Sequence, residues 1–322
     1  MLRIIALLVL LSSCGGGGGS SSPVNTEGTS GNNQNTIDEQ CYQYETRVFR
    51  CEFTHGNLLR YYYIHQPHPE AQGSSSVLFN LHGYGSNALA QMQYGDFREL
   101  TNNKESNFIL IHPQGAPLNT ALTSSASHWN SGGWTIGSTV DDVDFIDTII
   151  NFISQKYDIN ANRIYSTGMS NGGFMSYHLA CNLSSKIAAV ASVTGSMSVQ
   201  TYDSCDPSRP IAVMQIHGLL DGVVPFEGKT ELGMKSIEDV IEYWRSYNSC
   251  TPDPIIELAE YFNPDQTIEH IKYVNCLNNV QVELYKIKTM GHVWPNENQY
   301  RISASKTIWD FINTYDLNGK IN

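Results

Sequence analysis

The sequence predicts an α/β fold in which a mainly parallel central sheet carries helices on both faces. Two observations support this class. Short and nearly continuous apolar runs, at residues 77–81 and 108–111, are typical of strands that are covered on both sides. Along the chain such runs alternate with helical patterns, and this alternation is typical of parallel strands joined by right-handed crossovers.

The elements are predicted in the following order. Residues 48–53 and 58–64 form an opening antiparallel pair of strands, ahead of the two apolar runs. Residues 141–157 place apolar side chains three and four positions apart behind acidic residues, which predicts a helix whose positive end is matched by carboxylates. The remaining predictions are strands at 163–167, 188–193, 211–216 and 280–287 and helices at 172–183 and 302–315.

Composition argues against two classes of protein. The 322 residues contain 19 Lys and Arg against 31 Asp and Glu, which gives a formal net charge of −12. Nucleic-acid affinity depends on clustered basic side chains, so a DNA- or RNA-binding protein is not expected. Apolar residues are not gathered into runs long enough to cross a bilayer, so a polytopic membrane protein is not expected either.

The N-terminus predicts export and a lipid anchor. Arg3 is followed by eight apolar residues, 4–11, which suit the core of an export signal and are too few to span a bilayer comfortably. The sequence Leu-Ser-Ser-Cys that ends at Cys14 resembles the lipobox of bacterial lipoproteins, in which the cysteine is lipidated and becomes the mature N-terminus. We therefore expect a signal peptide at 1–13 and membrane attachment through Cys14, with an ordinary cleaved signal as the alternative.

A flexible tether is predicted between the anchor and the folded domain. Residues 14–37 are rich in Gly, Ser and Asn and have too little apolar surface to offset the entropy of ordering. Gly15 stands where an Asp would indicate retention in the inner membrane of enteric-type bacteria, so we expect the outer membrane, on its surface or its periplasmic face. One domain then covers residues 38–322, and we expect it to be a monomer.

Cysteine usage predicts disulfide bonds. Without Cys14 the chain keeps six cysteines, and an even number in an exported chain is typical of a disulfide framework. Six cysteines allow many pairings, and joining sequence neighbours gives Cys41–Cys51, Cys181–Cys205 and Cys250–Cys276. A zinc site is the alternative, but the chain has no CxxC and the spacings are irregular, so no metal is expected.

A nucleophile motif follows the strand predicted at 163–167. Gly168, Ser170 and Gly172 fit the pattern G-x-S-x-G between a strand and a helix. In this pattern a sharp turn holds the serine in strained backbone geometry, and the small flanking residues let neighbouring elements approach closely. The turn projects the hydroxyl above the sheet, so Ser170 is predicted to be a nucleophile. The alternative is a glycine-rich turn in which the serine only caps the helix.

A serine nucleophile requires a base and an orienting carboxylate, which later segments supply. Asp221 follows the strand at 211–216, and His292 follows the strand at 280–287. The order of Ser170, Asp221 and His292 along the chain is that of α/β-hydrolases. We therefore expect His292 to be the base and Asp221 the residue that orients it.

Other histidines and acids have simpler explanations. His82 and His217 each precede a glycine at a strand end, and we expect both to be structural. Asp141, Asp142 and Asp144 stand at the start of a predicted helix, so we expect them to cap it.

The negative charge of a tetrahedral intermediate requires N–H donors. In the hydrolase fold one donor is the backbone N–H after the nucleophile, here that of Asn171. The other comes from the loop after an early strand, here Leu-His-Gly-Tyr-Gly at residues 81–85. We expect the Tyr84 N–H in this role, with the Gly85 N–H as the alternative.

Several motifs in order give the chain a family resemblance. They are Leu-His-Gly-Tyr-Gly at 81–85, Trp-Asn at 129–130, Asp-Asp-Val at 141–143, Gly-Met-Ser-Asn-Gly-Gly at 168–173, the stretch 217–221, Val-Pro at 224–225 and Gly-His-Val-Trp-Pro at 291–295. Across residues 58–313 the chain resembles the polyhydroxybutyrate depolymerase and feruloyl esterase group of α/β-hydrolases, within the first carbohydrate esterase family. The resemblance implies an extracellular serine esterase without a cofactor, with Ser170 as nucleophile, His292 as base and then acid, and Asp221 as orienter.

The resemblance also concerns the cysteines and the variable regions. Cys181–Cys205 and Cys250–Cys276 stand where this group commonly has cysteines. The chain departs from the family pattern at Asp144, where Gly is expected, and at Val293, where Thr is commoner. Residues 253–275 lack a clear pattern, so we expect a family-variable insertion over the site.

Two tryptophans are candidates for a flat apolar wall beside the acyl group. Trp129 precedes Asn130 in one of the motifs, and Trp294 lies two residues after the expected base. A large aromatic side chain also fills a core, so core packing is the alternative for both. Such a wall would suit a ferulate ring, a hydroxybutyrate unit or another polyester segment.

These features together predict an exported serine carboxylesterase that hydrolyses esters of a polymer or its oligomers, as polyhydroxybutyrate depolymerases do. A feruloyl or acetylxylan esterase acting on plant or algal polysaccharide is the first alternative. A serine peptidase of the same fold and a non-catalytic surface binding protein on a hydrolase scaffold are weaker alternatives. The expected partners are an ester substrate and the membrane.

Overall fold

The computed structural model describes residues 38–118, 126–133, 135, 137–259 and 267–321. The predicted signal peptide, Cys14 and the tether lie outside the described residues. Among the residues that are described, no helix combines the length and the hydropathy needed to cross a membrane.

The strands and helices have the following bounds. The strands are β1 Gln40–Glu45, β2 Val48–His55, β3 Leu58–His65, β4 Ser75–Leu81, β5 Phe108–Pro113, β6 Ala116–Leu118, β7 Ala126–His128, β8 Ile159–Met169, β9 Ile187–Val193, β10 Ala212–Gly218, β11 Ile255–Ala259, β12 Ile268–Tyr273, β13 Val282–Ile287, β14 Tyr315–Asp316 and β15 Gly319–Lys320. The helices are α1 Ala88–Tyr94, α2 Arg98–Thr101, α3 Asp142–Lys156, α4 Asn171–Asn182, α5 Val199–Ser204, α6 Ile237–Tyr247, α7 Glu297–Tyr300 and α8 Ala304–Ile312.

A large mixed sheet organises the chain. Within the described ranges, eleven strands pair in the order β1-β2-β3-β5-β4-β8-β9-β10-β13-β12-β11. The central neighbours from β5 to β13 are all parallel. The strands at both ends of the sheet pair antiparallel. The prediction of a mainly parallel central sheet is confirmed.

Helices cover both faces of this sheet. Strands β4, β5, β9 and β10 are buried at every position. On β8, Tyr165 contacts Trp309 of α8 edge to face, whereas the next residue, Ser166, shares a 2.9 Å hydrogen bond with Ser176 of α4. Because successive residues of a strand point to opposite faces, α8 and α4 lie on opposite sides of the sheet.

The predicted elements are present in the predicted order, but three strands of the large sheet, β1, β11 and β12, were missed. Every residue of β1 is exposed, and so is most of β11, so these strands lack the two-sided burial that marks the central ones. Residues 253–275, expected as an insertion over the site, contain β11 and β12, which extend the sheet beyond β13. Residues 260–266 lie outside the described residues.

Three disulfide bonds join neighbouring elements, and their predicted pairing is confirmed. Cys41–Cys51 links β1 to β2, Cys181–Cys205 links α4 to the residue after α5, and Cys250–Cys276 links the chain after α6 to the chain after β12. A disulfide of this kind typically contributes about 2–4 kcal/mol to stability. Because all six sulfurs are engaged, none of these cysteines offers a thiolate to zinc.

Candidate active site

The candidate catalytic residues lie along one edge of the sheet. Ser170 directly follows β8, Asp221 comes shortly after β10, and His292 comes shortly after β13. Strands β8, β9, β10 and β13 are consecutive and parallel, so their carboxyl ends share one edge. Strand β4 pairs parallel with β8, so the loop after β4 begins at the same edge.

Ser170 occupies a strained turn between β8 and α4. Its φ is 54° and its ψ is −121°, a region that residues other than glycine rarely adopt. A Cβ on Gly172 would lie 2.1 Å from Leu81 O, and a Cβ on Gly168 would lie 2.6 Å from the same oxygen. The two glycines therefore permit the close approach of α4 to β4 that the motif predicts.

The Ser170 hydroxyl does not serve as a helix cap. Ser170 is the N-cap residue of α4, yet its side chain makes no capping hydrogen bond. By contrast, the N-cap serines of α5 and α6, Ser198 and Ser236, both accept a backbone N–H. The comparison argues against the alternative of a simple glycine-rich cap.

Asp221 and His292 form a hydrogen-bonded pair. The His292 Nδ1–H donates to Asp221 Oδ2 across 2.8 Å, which leaves Nε2 as the proton-accepting nitrogen. Asp221 Oδ1 accepts the N–H groups of Val223 and Val224 at 2.9 Å each. Burial alone would raise the pKa of Asp221, but the bonds from His292 and the backbone outweigh it and hold that pKa below its ordinary value. The carboxylate is therefore ionised at neutral pH.

The candidate nucleophile, Ser170, and the candidate base, His292, do not share a hydrogen bond in this structure. His292 is bonded to Asp221, but within the described residues no hydrogen bond links it to Ser170. In unliganded enzymes such bonds are often long and tighten only in the complex with substrate.

His217 supports the loop that carries Asp221. Its Nδ1 accepts Gln215 Nε2 at 2.8 Å, so its Nε2–H donates to Val224 O at 2.9 Å and lies 3.5 Å from Asp221 Oδ2. Burial lowers the pKa of His217 to about 4, although Val224 and Asp221 act in the opposite direction. The ring is therefore neutral and structural, as its sequence position predicts.

His82 plays a similar part in the oxyanion loop, residues 82–86. Its Nε2 accepts the Gly115 N–H at 2.9 Å, so its Nδ1–H donates to Gly83 O at 2.8 Å. Burial lowers the pKa of His82 to about 4. The Gly85 N–H donates to Ser127 O at 2.8 Å, which argues against Gly85 as an oxyanion donor.

Both candidate substrate tryptophans are buried. Trp129 is fully buried, and its indole N–H donates to His82 O at 2.9 Å. Trp294 is 4% exposed, and its indole N–H donates to Ser305 Oγ at 3.2 Å. Neither ring offers a face to a substrate, so their placement favours core packing over the apolar wall.

The helix-capping interpretation of the acidic cluster is correct only for Asp141. The Asp141 side chain caps α3 by accepting the Asp144 N–H. Asp142 is buried instead and accepts Arg60 Nη2 at 2.7 Å, while Asp144 pairs with His55. The sequence did contain a signal for this pair, because Arg60 is the one charged residue of an otherwise apolar predicted strand.

Comparison with known proteins agrees with this geometry. Residues 64–248 match the phospholipase/carboxylesterase family. Feruloyl esterase B of Piromyces equi is 28% identical over 196 residues, which are 57% of this chain and 34% of that protein. The bifunctional acetylxylan esterase/xylanase of Neocallimastix patriciarum is 23% identical over 251 residues, which are 77% of this chain and 32% of that protein. The aligned regions thus span about a third of these two relatives.

The fold also resembles solved structures. The acetyl xylan esterase from Aspergillus awamori superposes with a TM-score of 0.52 at 11% identity, over 84% of this chain and 99% of that one. At this identity the likeness shows the α/β-hydrolase fold alone. The family match covers more than half of the chain, and the chain belongs to the phospholipase/carboxylesterase family of α/β-hydrolases.

Proposed function

We propose that this protein is a serine carboxylesterase that removes small acyl groups, feruloyl or acetyl, from a polysaccharide. The observation that carries the reaction class is the Asp221–His292 pair at the same sheet edge as a strained, non-capping Ser170. The relatives named feruloyl esterase and acetylxylan esterase support the substrate class. They favour it over the polyester depolymerase that the sequence motifs suggested first.

The proposed reaction proceeds through an acyl-enzyme. His292 Nε2 takes the Ser170 proton as Oγ bonds to the ester carbonyl carbon, and the Tyr84 and Asn171 N–H groups receive the oxyanion. The carbon–oxygen bond to the alcohol then breaks, and His292 protonates the leaving oxygen. Water repeats the sequence on the acyl-enzyme and releases the acid.

We also propose that the protein is exported and anchored through Cys14, with a tether at 14–37 ahead of the catalytic domain. Three disulfide bonds suit an oxidising compartment. Metabolic labelling with a fatty-acid analogue should mark the wild-type chain and not a Cys14→Ser variant. Equal labelling of both would refute the anchor and leave the esterase proposal intact.

Replacement of Ser170 tests the reaction class. Ser170→Ala should abolish hydrolysis of p-nitrophenyl acetate and labelling by a fluorophosphonate, with little change in the thermal transition. Ser154→Ala, which removes a surface hydroxyl bonded to Ile150 O on α3, is the matched control and should keep full activity. Turnover by Ser170→Ala at the wild-type rate would refute the assignment, and an unlabelled wild-type chain would favour a binding protein.

A substrate panel tests the proposed specificity. Methyl ferulate, acetylated xylan, polyhydroxybutyrate and an aromatic polyester should be offered in parallel to the wild-type enzyme and to Ser170→Ala. We expect Ser170-dependent release of ferulate or acetate at a higher kcat/KM than any polyester product. Faster release of hydroxybutyrate would overturn the substrate class in favour of a depolymerase.

A further inference from the structure

The buried Trp129 packs against the oxyanion loop. The Trp129 indole Nε1–H donates to His82 O across 2.9 Å, and the His82 and Trp129 rings pack with centroids 5.0 Å apart. His82 lies two positions before Tyr84, whose N–H is one of the proposed oxyanion donors. Trp129 therefore fixes the backbone from which this donor projects.

Trp129 also positions Asn171, the residue that carries the second proposed donor. Asn171 Oδ1 accepts the Trp129 N–H at 2.7 Å, and Asn171 Nδ2 donates to Trp129 O at 3.0 Å. Asn171 is fully buried, so these two hydrogen bonds of its side-chain amide tie the first residue of α4 to the Trp129 backbone. The backbone N–H of that first residue is the second proposed donor.

A buried ion pair holds the Trp129 segment in turn. Asp142 Oδ2 accepts the Asn130 N–H at 2.7 Å, and its Oδ1 accepts Arg60 Nη2 at 2.7 Å. Arg60 also donates to Gln114 O at 3.1 Å. The two charged side chains are 0% and 3% exposed. Burial of paired charges adds little net stability, whereas loss of one partner leaves an uncompensated charge, so the pair mainly fixes geometry.

We propose that Trp129 is the positioning residue of the oxyanion hole, setting the separation of the Tyr84 and Asn171 N–H groups while Arg60 and Asp142 hold it in place. This inference rests on the proposed function. The oxyanion exists only after attack on the carbonyl, so displacement of its donors lowers kcat more than it changes KM.

Two matched substitutions test the proposal. Trp129→Phe keeps most of the ring but removes the indole N–H that reaches His82 O. Trp244 on α6 is equally buried, and its indole N–H has no partner among the described residues. Trp244→Phe therefore removes comparable ring volume without removing a hydrogen bond, and it controls for packing.

The readout is kcat and KM for p-nitrophenyl butyrate together with inhibition by a boronic acid that forms a tetrahedral adduct on serine. For Trp129→Phe we expect kcat to fall about 10- to 100-fold, since loss of one whole donor costs a factor of about 10²–10³. KM should stay within about threefold, and the boronic acid should bind more weakly by the factor lost in kcat. Trp244→Phe should keep kcat within about twofold. Equal kcat and boronic-acid affinity in the two variants would overturn the proposal.

A second variant covers the case in which Trp129→Phe does not fold. Asn171→Ala removes both side-chain hydrogen bonds to Trp129 and keeps the backbone N–H of residue 171, so it should show the same selective loss of kcat. A change in KM alone would contradict the proposal. Failure of the proposed function is distinguishable, because the wild-type enzyme would then neither hydrolyse esters nor react with a fluorophosphonate.

Discussion

The two halves of the candidate site are stabilised in different ways. The nucleophile half, formed by the oxyanion loop and residues 168–173, depends on close backbone packing and on glycines that a single Cβ would disrupt. The acid–base half, formed by residues 219–224 and 291–292, has room around its glycines. It depends on the hydrogen bonds that the Asp221 carboxylate accepts, and it carries exposed apolar residues. A methyl group added to a glycine beside Ser170 should therefore destabilise the first half, whereas one added to Gly222 should leave the second half intact.

Asp221→Asn should give the largest of the effects that distinguish the two halves. The variant keeps the shape of the side chain but no longer fixes the His292 tautomer that accepts the serine proton, so kcat should fall about 10³- to 10⁴-fold. Steady-state hydrolysis of p-nitrophenyl butyrate measures this loss. Asp144→Asn changes the same group on the surface, where Asp144 pairs with His55, and should stay within about twofold. Similar kcat values for both variants would remove Asp221 from the triad.

Addition of one methyl group to each half tests the packing difference directly. A Cβ at position 172 would lie 2.1 Å from Leu81 O, whereas a Cβ at position 222 would have no atom within 4 Å. Gly172→Ala should therefore lower the free energy of unfolding by about 3–5 kcal/mol, and Gly222→Ala should change it by less than about 0.5 kcal/mol. Urea unfolding of the two variants measures the difference, and equal stabilities would refute the contrast between the halves.

The shared location of the three candidate catalytic residues was predictable from sequence because each of them follows an apolar strand. Ser170, Asp221 and His292 directly or closely follow β8, β10 and β13, so the parallel topology alone brings them to one edge. The strained turn at Ser170 was also predictable, since the pattern of glycines around it has a steric cause. The argument against Gly85 as a donor needed the structure, because it depends on the bond from the Gly85 N–H to Ser127 O.

The lone charge of Arg60 in an apolar strand indicated a buried partner, but the identity of the partners behind the site was not predictable, because they are distant in sequence. Arg60 and Asp142 are 82 positions apart, and Trp129 and Asn171 are 42 apart. Periodicity shows which face of an element is apolar but not which element covers it. For this reason Trp129 was predicted beside the substrate, and Asp142 was predicted to be a helix cap.

Each half is supported by a neutral buried histidine, and the pH dependence of stability tests this feature. Burial lowers the pKa of both His82 and His217 to about 4 from an ordinary 6.5. Between pH 6.5 and 4 the unfolded chain binds protons that the folded chain does not, so stability falls as the pH falls. His217→Gln and His82→Gln should each reduce the slope of unfolding free energy against pH by up to about 1.4 kcal/mol per pH unit.

Urea unfolding at several pH values between 4 and 6.5 measures these slopes. The slope is informative even when a substitution lowers stability at every pH, because a constant loss leaves the slope unchanged. A reduced slope in only one variant would show that the two loops are not supported alike.

The smallest expected effect concerns the surface of the acid–base half. Leu219, Leu220 and Val223 flank Asp221 and are 39%, 66% and 59% exposed, so we expect them to contact a bound ester. Leu220→Ser should raise KM for p-nitrophenyl butyrate about three- to tenfold and leave kcat nearly unchanged, since it removes apolar contact that substrate and transition state share. The change in unfolding free energy should stay within about 0.5 kcal/mol.

Leu277→Ser is the matched control for this substitution. Leu277 is 55% exposed and follows Cys276 beyond the end of β12. In the antiparallel pair with β13, that end of β12 lies beside Val282, the first residue of β13 and so the strand end opposite the site. Replacement of Leu277 should therefore leave KM unchanged. If both variants raise KM equally, the loop around Asp221 does not contact substrate, and the acid–base half then supports catalysis only through Asp221 and His292.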